Sequence, residues 1–232
     1  MLPTRFSLAL LIILGMGALP LLQSAAAPDE KPKVTEPFHD QLLDIAKNYI
    51  SYGRVDDEMR WAPTACRPPT DPKPGVARFS ESADKDMHGR KLYSVFAKNG
   101  TTYQNLEKGK PVAVGQVLVK ESWVPEEVTD SEQKQEIIVH KSKDKSDKSL
   151  DRGDHFLPYA TKDGKTYHAA KQSELFIMFK MDSKTPDTDE GWVYGTVTPD
   201  AKKVTSAGKV ESCIKCHQDA SHDRLFGMPQ KK

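Results

Sequence analysis

The run Cys213-Ile214-Lys215-Cys216-His217 holds the most specific chemistry in this sequence. Two thiols three positions apart can each add to one vinyl group of a haem, and the imidazole that follows directly can ligate the iron. A Cys-x-x-Cys-His run is the attachment pattern of c-type haem. On this reading Cys213 and Cys216 are covalent anchors, His217 is the proximal iron ligand, and the cofactor is one covalent haem c. A thioredoxin-like redox pair and half of a zinc knuckle, completed by Cys66 or His222, compete for the same residues. Neither needs a His directly after the second Cys, and the chain has no second Cys-x-x-Cys. Cys66 is then left without an intrachain partner. It reads as a buried thiol, with an intermolecular disulfide as the alternative.

The rest of the chain has to build a pocket for such a group. At 232 residues, with 37% hydrophobic and 29% charged content and 16 prolines, the length allows one good core with generous loops. A formal net charge of +1 gives no extended basic field, which argues against a nucleic-acid partner. Residues 1–26 carry Arg5, then the apolar run Phe6 to Leu22, then Ser24-Ala25-Ala26, which is the order of a secretory signal and its cleavage site. The apolar run sits at the lower limit for a membrane span, so an uncleaved anchor is the alternative; no other membrane contact is expected. Export to a bacterial periplasm fits the haem reading, because c-type attachment generally takes place outside the cytoplasm.

Along the remainder, Phe38, Leu42, Leu43, Ile45, Ala46, Tyr49 and Ile50 recur at the spacing of an amphipathic helix between Phe38 and Tyr52. The proline-punctuated stretch Trp61 to Pro69 cannot be regular helix and reads as a loop packed by Trp61. Strands are expected at Lys91–Lys98, followed by an Asn99-Gly100 turn, and at Val112–Trp123, Gln135–His140, Glu174–Met181 and Trp192–Val197. A helical turn or two is expected over Tyr103–Gly109. The alternating charges of Lys141–Asp154 cannot supply the burial that ordering needs and predict a solvated loop. Four or five strands with one clear helix predict an α+β fold, mainly antiparallel β-sheet with a few helices. The organisation is a signal at 1–26, a helix and proline-rich segment at 27–75, and a haem domain at 76–232. Within the strongest strand, Gln116, Leu118, Lys120 and Ser122 share one face and Val117, Val119, Glu121 and Trp123 the other. Apolar residues on both faces predict that both are covered.

The late position of the haem motif narrows the class. Ordinary class I cytochromes c place it early and use the following domain to deliver a distal Met. Here fifteen residues follow His217 and Met228 is the only downstream candidate. Cytochromes c′ place it late but are four-helix bundles, and this chain reads as strands. Tyr103, Leu106 and Gly109, then Gly115-Gln116-Val117-Leu118-Val119-Lys120-Glu121, Gly191-Trp192-Val193-Tyr194 leading to Pro199-Asp200, and Cys213 to His217 together carry a resemblance to cytochrome P-460 and its relative cytochrome c′-β. It spans roughly residues 90–227, and the strand ending in Val-Lys-Glu makes it more specific than the haem motif alone.

The resemblance implies a small β-sheet fold, one haem c with His217 on the iron, and an axial position open to small nitrogen ligands. It also implies that Lys120 matches the lysine that cytochromes P-460 bond to the macrocycle, whereas cytochrome c′-β leaves the haem unlinked. From the residues alone, Lys120 reads equally as an amine snorkelling to water; held in a covered pocket it would be desolvated and nucleophilic. Oxidation of hydroxylamine or nitric oxide would call for a distal carboxylate. Asp219 is the nearest candidate to the motif, with Glu121 and Glu174 also open, and His222 and Asp223 are further polar residues with no assigned role. An aromatic cap from Phe96, Phe176 or Phe179 would instead favour gas binding without turnover. Expected partners are a small nitrogen-containing ligand, a soluble electron-acceptor cytochrome and, as in relatives, a second copy in a homodimer. An electron carrier closed by Met228 is the third reading.

Overall fold

The computed structural model describes residues 36–55, 75–80, 88–128, 138–140 and 154–227. The signal segment, the loop with Trp61 and Cys66, most of the charged 141–154 loop and Met228 lie outside the described residues. In chain order the elements are α1 (His39–Asn48), β1 (Gly75–Val76), β2 (Arg78–Phe79), β3 (Leu92–Ala97), α2 (Gly100–Gln104), β4 (Val117–Glu127) and β5 (Ile138–His140). These are followed by β6 (Asp154–Leu157), β7 (Tyr159–Lys162), β8 (Lys165–Lys180), β9 (Trp192–Val197), β10 (Val204–Gly208) and α3 (Glu211–His217). A 3-10 turn, Tyr49–Tyr52, extends α1.

The β-branched and aromatic run of β4 forms the middle of a seven-stranded antiparallel sheet ordered β10-β9-β8-β4-β3-β2, with β7 paired on β8. A second, three-stranded sheet is ordered β1-β6-β5, and its β1–β6 pair is parallel. The fold is α+β and mainly antiparallel, as the spacing predicts, but with ten described strands rather than four or five. Asn99-Gly100 opens α2 instead of closing a turn.

Alternation gives the large sheet two apolar faces. On one, Val119, Leu175, Ile177, Phe179, Val193 and Val197 pack against Leu42, Ile45 and Ala46 of α1 and Tyr49 of the 3-10 turn. Gly195 of β9 lets the helix come this close: a Cβ there would lie 2.5 Å from Leu42 Cδ1. Residues Thr35–Lys232 form one compact unit, so α1 shares its core with the sheet of the following domain. On the opposite face Leu118, Met178, Trp192 and Tyr194 pack with Cys213 of α3 and Leu225. Both faces are therefore covered, one by a helix and the other by the segment that carries the cysteines. Among the described residues no helix is long and apolar enough to cross a membrane.

Candidate functional site

The face opposite α1 opens into a cavity of about 670 Å³, lined among others by Lys120, Phe176, Cys213, Cys216 and His217. That volume falls within the roughly 300–1,000 Å³ of cofactor-sized sites. The β-sheet register brings its wall together: Lys120 lies opposite Val95 on β3 and Phe176 on β8, and Leu118 lies opposite Met178. Tyr93, Val95, Met178 and Tyr194 also line it, so the wall is mostly apolar and aromatic.

In α3 the two cysteines are three positions apart, on one side of the helix. Both are free thiols, Cys213 buried and Cys216 exposed. Burial raises the pKa of the Cys213 thiol, and Cys216 adds to the rise. His217 is half-buried, and its Nδ1 donates to the Arg224 carbonyl oxygen at 2.7 Å. A carbonyl only accepts, so Nδ1 carries the proton and Nε2 is the nitrogen left to bind a metal. Burial holds the His217 pKa below its ordinary value, with the Arg224 contact opposing and Lys120 assisting. Its ring lies 5.6 Å from that of Tyr194 and 5.1 Å from the exposed Phe226 ring.

Lys120 stands in the same wall, with Nζ 4.3 Å from the centre of the Tyr93 ring. Burial, and secondarily Lys91, push its pKa down to about 8. The other candidate residues divide clearly. Glu121 lies on the α1 face, where its Oε1 accepts from Tyr49 Oη at 2.6 Å and from Gln172 Nε2 at 3.3 Å; it is removed from the cavity by strand alternation. Glu174 accepts from Thr205 Oγ1 at 3.0 Å and does not line the cavity. Asp219 is exposed and does not line it either. Of the three aromatics, Phe176 lines the cavity, while Phe96 and Phe179 belong to the core beneath α1. His222 bonds through Nδ1 to Ser221 Oγ at 2.9 Å.

Several cavity residues escape sequence reasoning. Ser80 and His88 enter from loops, with the His88 ring 4.4 Å from Phe176. Tyr103 reaches it from α2, and its hydroxyl donates to the Gly227 carbonyl at 2.8 Å. Tyr93 could have been found from alternation along β3 once the β3–β4 register was known. Behind His217, Arg224 pairs with Asp189, 35 residues away in sequence, and the adjacent Asp223 with Lys180, 43 residues away.

The donor set suits a haem: two thiols on one side of a helix, an imidazole whose Nε2 is left to bind, and an apolar cavity wide enough for a macrocycle. Zinc would need further ligands, and among the described residues no group of three or more His, Cys, Asp or Glu could hold a metal ion. An antiparallel sheet with a cavity against one face, closed by a Cys-x-x-Cys-His helix, defines a sheet-based haem protein. The Cytochrome P460 family model matches residues 76–226, and the chain belongs to that family; it is a haem-binding c-type cytochrome. No curated protein matches the chain.

Proposed function

We propose that the chain is an exported mono-haem c-type cytochrome that takes a small nitrogen compound, hydroxylamine or nitric oxide, on the position opposite His217 and oxidises it. The carrying observation is Lys120, a desolvated amine in the wall of the cavity that also holds Cys213, Cys216 and His217. When bound, the haem supplies an iron that takes the ligand and accepts its electrons. The chain's own residues divide the remaining work. Cys213 and Cys216 are the covalent anchors, His217 the proximal ligand. Lys120 would present its neutral amine to a haem held in the cavity, the position that the matching lysine takes in the cytochromes P-460. Leu118, Phe176 and Met178 give the pocket an apolar wall. Electrons leave to a soluble acceptor cytochrome, the protein acts as a homodimer, and the leader-like first 26 residues direct it to the periplasm.

One observation favours a second reading. No Asp or Glu lines the cavity among the described residues, and Phe176 occupies its wall. None of those residues offers a carboxylate to take protons from hydroxylamine, which favours nitric-oxide binding without turnover, as in cytochrome c′-β. The test is production in a host competent for c-type maturation, followed by an absorption spectrum and tryptic mapping. A haem peptide joining the Lys120 segment to the Cys213 segment, with a red-shifted reduced spectrum, is expected. Haem recovered on the Cys213 peptide alone, with a high-spin spectrum and no hydroxylamine oxidation, selects the gas-binding reading. A sharp low-spin His/Met spectrum rejects both in favour of the electron carrier.

A further inference from the structure

The carbonyl that accepts from His217 Nδ1 belongs to a residue, Arg224, whose backbone its own side chain does not favour. His222 and Leu225 bridge each other, with His222 N to Leu225 O at 3.2 Å and Leu225 N to His222 O at 3.0 Å. The two residues between them, Asp223 and Arg224, both have positive φ, 49° and 72°. This is the arrangement of a type I′ turn, in which Asp suits the first central position but the second is usually glycine. Arg224, left-handed at that second position, persists only where its surroundings over-determine it.

Those surroundings are present. The Asp223 carboxylate accepts from Val112 N at 2.7 Å and Trp192 Nε1 at 3.2 Å, and pairs with Lys180 Nζ at 3.1 Å. The Arg224 guanidinium forks onto Asp189, Nε to Oδ2 at 2.8 Å and Nη2 to Oδ1 at 3.1 Å, and reaches Glu190 at 3.4 Å. Asp189 Oδ2 also accepts from the Tyr194 hydroxyl at 2.9 Å. The network therefore meets His217 twice, through the Arg224 carbonyl and through the Tyr194 ring.

We infer that Asp189, Asp223 and Arg224 are positioning residues for the proximal ligand: they clamp the 222–225 turn so that its carbonyl fixes the tautomer, orientation and electron donation of His217. This rests on His217 being the iron ligand. A firm acceptor on Nδ1–H gives the imidazole more imidazolate character, which strengthens its bond to iron and favours the ferric state. Side-chain ion pairs that touch neither haem nor substrate would then set how the iron binds and oxidises its ligand.

The experiment uses the holoprotein and its Asp189→Asn and Arg224→Gln variants, with Leu42→Ala on the other face of the sheet as a control for general destabilisation. Resonance Raman spectra of the ferrous forms and redox titrations are recorded. The iron–histidine stretch is expected to shift to lower frequency and the reduction potential to rise in either proximal variant, while Leu42→Ala moves neither. Arg224→Gln alone suffices if Asp189→Asn does not accumulate. An unchanged stretch and potential in the proximal variants, or an equal change in Leu42→Ala, overturns the inference. A His217→Gln holoprotein with the parent spectrum would instead show that His217 is not the ligand, and the inference would fall with that reading.

Discussion

Replacing Lys120 by methionine tests the cavity's electrostatics before any haem is attached. Its pKa falls from the usual 10.5 to about 8, chiefly because burial penalises the ammonium. At about 1.4 kcal/mol per tenfold in the protonation equilibrium, that fall corresponds to roughly 3 kcal/mol held against the folded haem-free chain at neutral pH. Contact with the Tyr93 ring at 4.3 Å returns about 1–2 kcal/mol in this desolvated setting, which methionine forfeits. A net gain of about 1–2 kcal/mol is expected for Lys120→Met at pH 7. The sign with pH follows from linkage: the folded pKa lies below the unfolded one, so the unfolded chain binds more protons between about 8 and 10.5. The parent therefore gains on the methionine variant across that window and the two converge above it, while the raised pKa values of the buried Cys213 thiol and of Tyr49, Tyr103 and Tyr194 lower both alike as the pH rises. Urea unfolding of both haem-free proteins from pH 7 to 10.5, followed by tryptophan fluorescence, measures this directly. A destabilised Lys120→Met at pH 7, or a difference between the two proteins that does not shrink above pH 8, would show a solvated amine and refute the reasoning. The same displacement leaves about a tenth of the amine neutral at pH 7, roughly 300-fold more than in an ordinary lysine, so stability and nucleophilicity are tested together.

Two further outcomes concern the opposite face. Leu42→Ala should cost about 3 kcal/mol and Gly195→Ala about 1–3 kcal/mol, since the added Cβ would stand 2.5 Å from Leu42 Cδ1. The double variant should cost about 1 kcal/mol less than the sum in a denaturation cycle, because the truncation removes the clash. Strict additivity would mean the helix is not seated on Gly195. Tyr49→Phe removes the donor at 2.6 Å from Glu121 and should destabilise by about 1–3 kcal/mol. The haem absorption should be unmoved, and a displaced Soret band would place Glu121 in the site after all.

What could be read in advance divides by the range of the interactions. The Cys213 to His217 pattern is local chemistry, and strands β3, β4 and β9 announce themselves because they carry apolar residues, buried or half-buried, on both faces. Only the C-terminal half of β8 is legible: Leu175–Lys180 is buried throughout, but the preceding Lys165–Glu174 is largely polar and mostly exposed or half-buried, so no period of two survives. β10 is short, with small and polar residues on a sheet edge, and carries no such signal. Alternation within β4 already separates Glu121 from Lys120, and Glu121 can be offered as a distal carboxylate only by setting that period aside. Asp223 shows the opposite limit. Its carboxylate acquires meaning from Val112, Lys180 and Trp192, between 31 and 111 residues away, and no pattern near His217 encodes those partners. The cysteines and histidine thus specify which group could be held, while its proximal environment is set by contacts that exist only after the sheet has closed.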